Sequence, residues 1–329
     1  LDSDNGGALG FLAWDDWEGR LDLETAAIRC SSALQTAPGS LLLTRTAGIY
    51  ARSIGRHADS IGLLKRCVAA DPMDASCAFQ LAQSYLWGGR LNAALKEHRR
   101  WRSVTGQKGN QYYLVLTLLL LGQPATALAE LESDMEFSDH PQTLSARAMI
   151  LHDLGRPEES SAVFEQLEEK VAEEFREDAY LVAEAYAWTG QIDSAFEWLE
   201  TGYERDARFG IQGYWFHRIM FLPIWQKLHD DPRWDELRAR MNMSAERLAA
   251  IECGSNIMEL VTALPEADLG PDTLELPEVR DALKPVRDRW QVDLSVKPVT
   301  TRPEGRQLVL QMHRRDAANA PPLMLTAWQ

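Results

Sequence analysis

The sequence predicts an all-α solenoid in which helical hairpins stack side by side. Two observations predict it: glycines recur at a nearly constant spacing, and a small residue follows each of them at a fixed distance. The glycines, 34, 33, 33 and 35 residues apart, are Gly55, Gly89, Gly122, Gly155 and Gly190. Five positions beyond them stand Ser60, Ala94, Ala127, Ser160 and Ala195. A period near 34 residues is typical of repeats that each contain one helix–turn–helix unit.

Each recurring position has a physical reason. A glycine adopts the left-handed backbone that ends the first helix of a pair, helix A, and turns the chain into helix B. Pro124 and Pro157 come two residues after Gly122 and Gly155, where the first turn of helix B tolerates a residue without an N–H. The small residue lies where the two helices approach most closely. Because one pair cannot bury its own apolar face, we expect the pairs to stack and share a core.

Larger apolar side chains fill the remaining contact positions, among them Leu81 of one helix A and Trp101 of the following helix B. With these features, residues 7–209 resemble the tetratricopeptide-repeat (TPR) family. The six units begin near residues 7, 41, 75, 108, 141 and 176. The resemblance implies a right-handed superhelix with the A helices along its concave groove. The tryptophan usual at the fourth position of a unit is replaced, for example by Ala78, so no specific ligand carries over.

Residues 210–252 contain no turn glycine in phase and predict capping helices. One amphipathic helix is expected to end near Asp230, and Asp231-Pro232 to start another with Trp234 and Leu237 on one face. This ending resembles the TPR arrays that follow the signalling domains of bacterial winged-helix transcription regulators and nucleotide cyclases. The resemblance implies a sensory or docking role within such a host.

The composition changes after residue 252, since eight of the fifteen prolines lie in residues 253–329. Apolar residues alternate with polar ones from Val292 to Val296 and from Leu308 to Met312, which predicts a β-hairpin. A small α+β appendage is the interpretation, and an extended tail over the solenoid is the alternative. The chain is thus expected to divide into a TPR array (1–209), capping helices (210–252) and a Pro-rich appendage (253–329).

Charge and cysteine content exclude several classes of protein. The 34 lysines and arginines against 49 aspartates and glutamates give a net charge of −15, which disfavours nucleic-acid binding and anionic membranes. The longest apolar run, residues 114–121, is too short to cross a bilayer, so no membrane insertion is expected. Four scattered cysteines are too few for a disulfide framework, and Cys30 and Cys67 are expected to be inert core thiols. They favour a cytoplasmic location, with a periplasmic one left open.

No arrangement of residues predicts catalysis. The seven histidines show no metal-ligand spacing, and the sequence lacks the nucleophile elbow and the phosphate-binding loop of common enzyme classes. We therefore expect no enzyme activity, no metal and no cofactor. The basic stretch Lys96–Arg102 on a helix B is interpreted as a solvated face with Trp101 turned inward.

The TPR resemblance also places a set of helix A residues in the concave groove, where apolar and aromatic side chains dominate the middle units. This partner-binding set is Phe79, Gln83, Leu86, Trp87, Tyr112, Leu116, Leu119, Leu120, Met149, His152, Tyr180, Glu184 and Trp188. Exposed apolar surface of this extent marks an interaction site. The alternative is that the chain itself already covers these residues.

The predicted function is a protein–protein interaction scaffold that binds a partner peptide in this groove. The alternative is a sensory or regulatory module whose groove takes a small apolar ligand or the chain's own C-terminal segment. An open channel would favour the scaffold, and an aromatic cavity closed at one end would favour the sensor.

Overall fold

The computed structural model describes residues 6–19, 22–37, 39–106, 112–133, 139–173, 178–208, 220–251, 273–284, 288, 290–299, 302–315 and 323–328. Contacts divide the chain into a repeat unit, Ala51–Met241, and a terminal unit that combines Leu1–Tyr50 with Asn242–Gln329. None of the helices in the described part has both the length and the apolar character that crossing a bilayer requires. The three-part division expected from the sequence stays a prediction.

The helices that carry the repeat pattern follow one another in regular order. They are α1 (Gly6–Trp14), α2 (Leu23–Thr36), α3 (Leu41–Ser53), α4 (His57–Ala70), α5 (Ala75–Trp87), α6 (Leu91–Thr105), α7 (Tyr112–Leu120), α8 (Pro124–Glu132), α9 (Pro141–Asp153), α10 (Pro157–Glu173), α11 (Ala179–Thr189) and α12 (Ile192–Arg208). Within the repeat unit, α5–α6, α7–α8, α9–α10 and α11–α12 pack as hairpins, and α5, α7 and α9 each contact the next A helix. The predicted stack of TPR-type hairpins is confirmed.

The turns between paired helices have the predicted backbone. All five turn glycines have positive φ, between 67° and 84°. At each turn the next residue donates its N–H back into helix A, as Gln123 does to the Leu118 carbonyl at 2.9 Å and Arg156 to the Leu151 carbonyl at 3.0 Å. This bond satisfies a carbonyl that the end of the helix would otherwise leave unpaired. The turn is therefore specified locally by glycine.

The small-residue positions are buried inside the hairpins. Ala94, Ala127 and Ala195 have no exposed surface, and Ser160 is 4% exposed. The Ser160 hydroxyl donates to the Ala148 carbonyl of the paired helix at 2.8 Å, so the polar side chain is satisfied inside the core. Their burial agrees with small side chains facing the paired helix, and their place at the closest approach of the two helices stays a prediction.

The capping region starts differently from the prediction. Pro223–Leu228 is a short 3₁₀ helix, where an amphipathic α-helix ending near Asp230 was expected. Proline disfavours helical backbone at the residue before it, so Pro223 and Pro232 confine any helix here to residues 223–230, and only short 3₁₀ turns form. The next helix, α13 (Pro232–Arg240), begins as predicted, with the Asp231 side chain accepting the Arg233 N–H at 3.0 Å. Residues 245–251 form a further helix, α14, and residues 210–219, at the start of the capping region, lie outside the described residues.

The terminal unit contains the α1–α2 hairpin, a short helix α15 (Pro277–Leu283) and a three-stranded antiparallel sheet. Its strands, in the order β1-β2-β3, are β1 (Trp290–Val299), β2 (Arg302–Arg314) and β3 (Leu323–Trp328). Leu294 pairs with Leu310, so the predicted hairpin is confirmed. Strand β3 was not predicted; it lies beside β2 and against α2, which joins the two ends of the chain in one unit.

The expectation for the cysteines is correct for one residue and wrong for another. Cys30 is buried, and burial raises the pKa of its thiol to about 12, as expected of an inert core thiol. Cys67 instead forms a disulfide with Cys77, across a Cα–Cα distance of 5.9 Å between α4 and α5. Helix stacking brings these two residues together, which their separation of ten residues alone does not indicate. The cysteines therefore no longer favour a reducing compartment, and the cytoplasmic location stays a prediction.

The basic stretch on α6 has the predicted orientation. Trp101 is buried at 8% exposure, while Lys96 and Arg99 face solvent. Arg102 pairs with Glu130 at 2.6 Å, and Arg100 pairs with Glu97 at 3.4 Å. The stretch is a charged outer face that acidic neighbours partly neutralise.

Candidate functional site

The side chains predicted to line the groove differ widely in exposure. Nine are buried, namely Gln83, Leu86, Trp87, Tyr112, Leu116, Leu119, Met149, Tyr180 and Glu184. Phe79, Leu120 and Trp188 are half-buried, and His152 is exposed. Most of the predicted lining is therefore packed against protein, and four side chains are accessible.

The buried members fill the space between consecutive A helices. The ring of Trp87 on α5 packs against that of Tyr113 on α7, with centroids 5.3 Å apart. Ser145 on α9 donates to the Leu181 carbonyl on α11 at 2.9 Å. Aromatic and apolar residues at these positions thus form the core between hairpins, since the A helices pack against one another there.

Glu184 is the most unusual of the buried residues. The Tyr112 hydroxyl on α7 donates to one oxygen of the Glu184 carboxyl on α11, and the other oxygen, Oε1, has no hydrogen-bond partner. Burial raises the pKa of Glu184 to about 8, against the opposing effect of the Tyr112 hydrogen bond. The carboxyl is therefore mostly protonated at neutral pH. It links two A helices inside the core and is not available to a partner.

Three of the four accessible groove residues, Leu120, His152 and Trp188, meet in a pocket of about 320 Å³ at the C-terminal ends of α7, α9 and α11. Its lining residues are Leu120, His152, Asp153, Trp188, Pro223, Ile224, Gln226 and Lys227. Leu120, Trp188, Pro223 and Ile224 supply apolar walls. The other four residues supply polar groups, so the pocket combines apolar surface with charge.

Trp188 is the central side chain of this pocket. Its indole N–H donates to Asp153 Oδ1 at 3.0 Å, which joins the end of α11 to the end of α9. Lys227 donates to the Trp188 carbonyl, and its ammonium lies 6.0 Å from the centroid of the indole ring. One face of the pocket is therefore a tryptophan held by a carboxylate on one side and a cation on the other.

A further wall of the pocket comes from residues 220–228, which we call the closing segment. Leu222, Ile224 and Trp225 are at most 4% exposed, so the segment is anchored firmly in the repeat unit. At its start the Phe221 ring packs so closely on Gly55 that a Cβ there would lie 2.8 Å from the ring. The segment thus runs from the turn at Gly55 to the end of α11 and holds the pocket wall in place.

Sequence reasoning missed Pro223, Ile224, Gln226 and Lys227. Lys227 lies 39 residues from Trp188, and no local pattern indicates that they meet. His152 and Asp153 are in the pocket, but no group of three or more metal-ligating side chains occurs in the described parts of the chain.

No protein-family model matches the chain, and no curated protein matches it. Several solved structures resemble it. MamA is 19% identical, with a TM-score of 0.41, over 51% of this chain and 96% of its own. YrrB, described as a TPR protein with an unusual peptide-binding site, is 16% identical, with a TM-score of 0.37, over 59% of this chain and 97% of its own.

A TPR protein from Parabacteroides merdae is 14% identical, with a TM-score of 0.45, over 85% of this chain and 97% of its own. These likenesses concern the fold, and nothing about ligands follows from them. The resemblance to the arrays of winged-helix regulators and cyclases stays a prediction.

Proposed function

We propose that the repeat unit is a protein-interaction module without enzyme activity, and that a peptide segment of a partner protein docks in the pocket around Trp188. The observation that carries the proposal is that three of the four accessible groove residues, Leu120, His152 and Trp188, converge in one pocket. Apolar walls with a few polar groups at the rim suit a peptide side chain and its backbone.

The buried groove residues have a different part in this function. Tyr112 and Leu116 on α7 and Met149 on α9 are buried, and the C-terminal ends of these helices contribute to the pocket. Their substitution acts on stability, because they have at most 5% exposed surface to offer a partner. The docking surface is thus smaller than the whole inner wall and lies at its edge.

Site-specific photo-crosslinking tests the proposal. A photoreactive residue at Gln226, in the pocket rim, should give one dominant protein adduct in cells of the source organism. The same residue at Glu165, exposed on α10 and outside the pocket, is the matched control and should not give it. Trp188→Ala should remove the adduct at Gln226 while a thermal melt shows that the protein is folded. Equal adducts at both positions, or an adduct that persists in folded Trp188→Ala, would contradict the proposal.

A further inference from the structure

The backbone gives the pocket a negative field. Helices α7, α9 and α11 end at Leu120, Asp153 and Thr189, and the pocket is lined by the last or penultimate residue of each. The C-terminus of a helix carries roughly half a negative charge from its aligned peptide dipoles. Three such ends in one place favour a cation over an anion.

Asp153 adds a full negative charge at the same place. Its carboxylate is exposed, and Oδ1 accepts the indole N–H of Trp188 at 3.0 Å. No lysine or arginine among the described residues forms an ion pair with Asp153. The formal charges of Asp153 and Lys227 cancel, so the three helix ends leave a negative potential in the pocket. The net charge of the whole chain, −15, has the same sign.

Lys227 is a cation that already binds to Trp188 in this pocket. Its ammonium lies 6.0 Å from the centroid of the Trp188 ring and donates to the carbonyl of the same residue. An aromatic face and a helix-end carbonyl together are a favourable environment for a cationic group. Lys227 comes from the closing segment, so one wall of the pocket already holds a basic side chain on the indole.

We infer that the pocket takes a basic side chain, arginine above all, from the docking peptide. The guanidinium would lie on the open part of the Trp188 ring and pair with the second oxygen of Asp153, and its apolar stem would contact Leu120 and Ile224. The inference rests on the proposed function, because it names the chemistry of the partner at the same site. Arginine suits it better than lysine because its planar fork both stacks on a ring and pairs with a carboxylate.

Fluorescence polarisation with three labelled seven-residue peptides tests the inference on the full chain. The peptides are identical except for a central arginine, its neutral isostere citrulline, or glutamate. The arginine peptide should bind about tenfold more tightly than the citrulline peptide. Asp153→Asn should remove this difference, and Glu165→Gln on α10 should leave it unchanged.

Lys227→Gln should raise the affinity for the arginine peptide, whereas Asp153→Asn should lower it. Removal of the resident cation should increase the affinity for the arginine peptide about threefold to tenfold, and a loss of folding cannot mimic an increase. Equal binding of the arginine and citrulline peptides, or tighter binding of the glutamate peptide, would overturn the inference. If the Gln226 adduct depends on Trp188 but the peptides are not distinguished, the proposed function stands and the basic-partner inference fails. If the adduct itself is absent, the proposed function fails.

Discussion

Glu184 is a carboxylic acid that is buried completely inside the repeat unit. Its side chain has no exposed surface and shares one hydrogen bond with Tyr112, which stands on an A helix two repeats earlier. A buried ionised carboxylate with a single partner would be strongly unfavourable, so the protein holds this group neutral. The result is a polar link between α7 and α11 that depends on pH.

We expect this link to make the folded state less stable as pH rises. The pKa of Glu184 is about 8 in the folded state and near 4.5 when exposed, so the folded state binds more protons between these values. Stability from this group is therefore fully present below pH about 4.5 and is lost progressively as pH rises to about 8 and beyond. Urea unfolding midpoints at several pH values between 5 and 9 measure the loss.

Glu184→Gln should flatten this part of the pH dependence, since an amide stays neutral and still accepts the Tyr112 hydrogen bond. Glu165→Gln, at an exposed position of α10, should leave the dependence as it is. A Glu184→Gln protein with the same slope as wild type would show that another group causes it.

At the scale of elements, each hairpin depends on one turn and one close contact. The turn needs a glycine with positive φ, and the contact needs a side chain no larger than serine or alanine. Both requirements are local and geometric. Two pairs of substitutions separate them from general effects on helix stability.

Ala127→Leu should destabilise the protein by about 1–3 kcal/mol, because the added atoms have no space between α7 and α8. Ala129→Leu, on an exposed position of the same helix, should change the free energy of unfolding by less than about 0.5 kcal/mol. Chemical denaturation of the two variants gives the comparison. Equal effects would mean that Ala127 is not a contact between the helices.

Gly155→Ala should cost about 1–2 kcal/mol of stability, since φ is 68° and the alanine Cβ strains a left-handed backbone. Gly62→Ala should instead stabilise by up to about 1 kcal/mol. Gly62 lies on an exposed position within α4, and no heavy atom lies within 4 Å of an added Cβ. Thermal melts of the two variants should move in opposite directions, and a shift in the same direction would contradict the role of Gly155.

The features that the sequence predicts depend on residues close together in the chain, and the features that it misses depend on contacts between residues far apart in the chain. The turns at Gly122 and Gly155 and the start of α13 at Asp231 depend on neighbours within a few residues, and they were predicted. The burial of Trp87, the disulfide of Cys67 and the contact of Lys227 with Trp188 depend on how closely hairpins stack. Periodicity places a residue on the inner side of helix A, but it does not say whether the next A helix covers that side.

At the scale of the whole molecule, the chain forms two units, and the terminal unit contains both ends of the described sequence. Strand β3 lies against α2 and beside β2. Deletion of residues 323–329 should therefore speed amide hydrogen exchange in α2 and β2, because both lose a neighbour. Exchange in α9 and α11, which belong to the repeat unit, should not change. Unchanged exchange in α2 would show that β3 does not stabilise this unit.

The most direct test of the account is amide hydrogen exchange of the chain with and without the partner captured at Gln226. We predict slower exchange in the last turns of α7, α9 and α11 and in residues 223–227, where the pocket lies. Protection confined to the B helices α8 and α10, or to the terminal unit, would contradict docking in the pocket around Trp188.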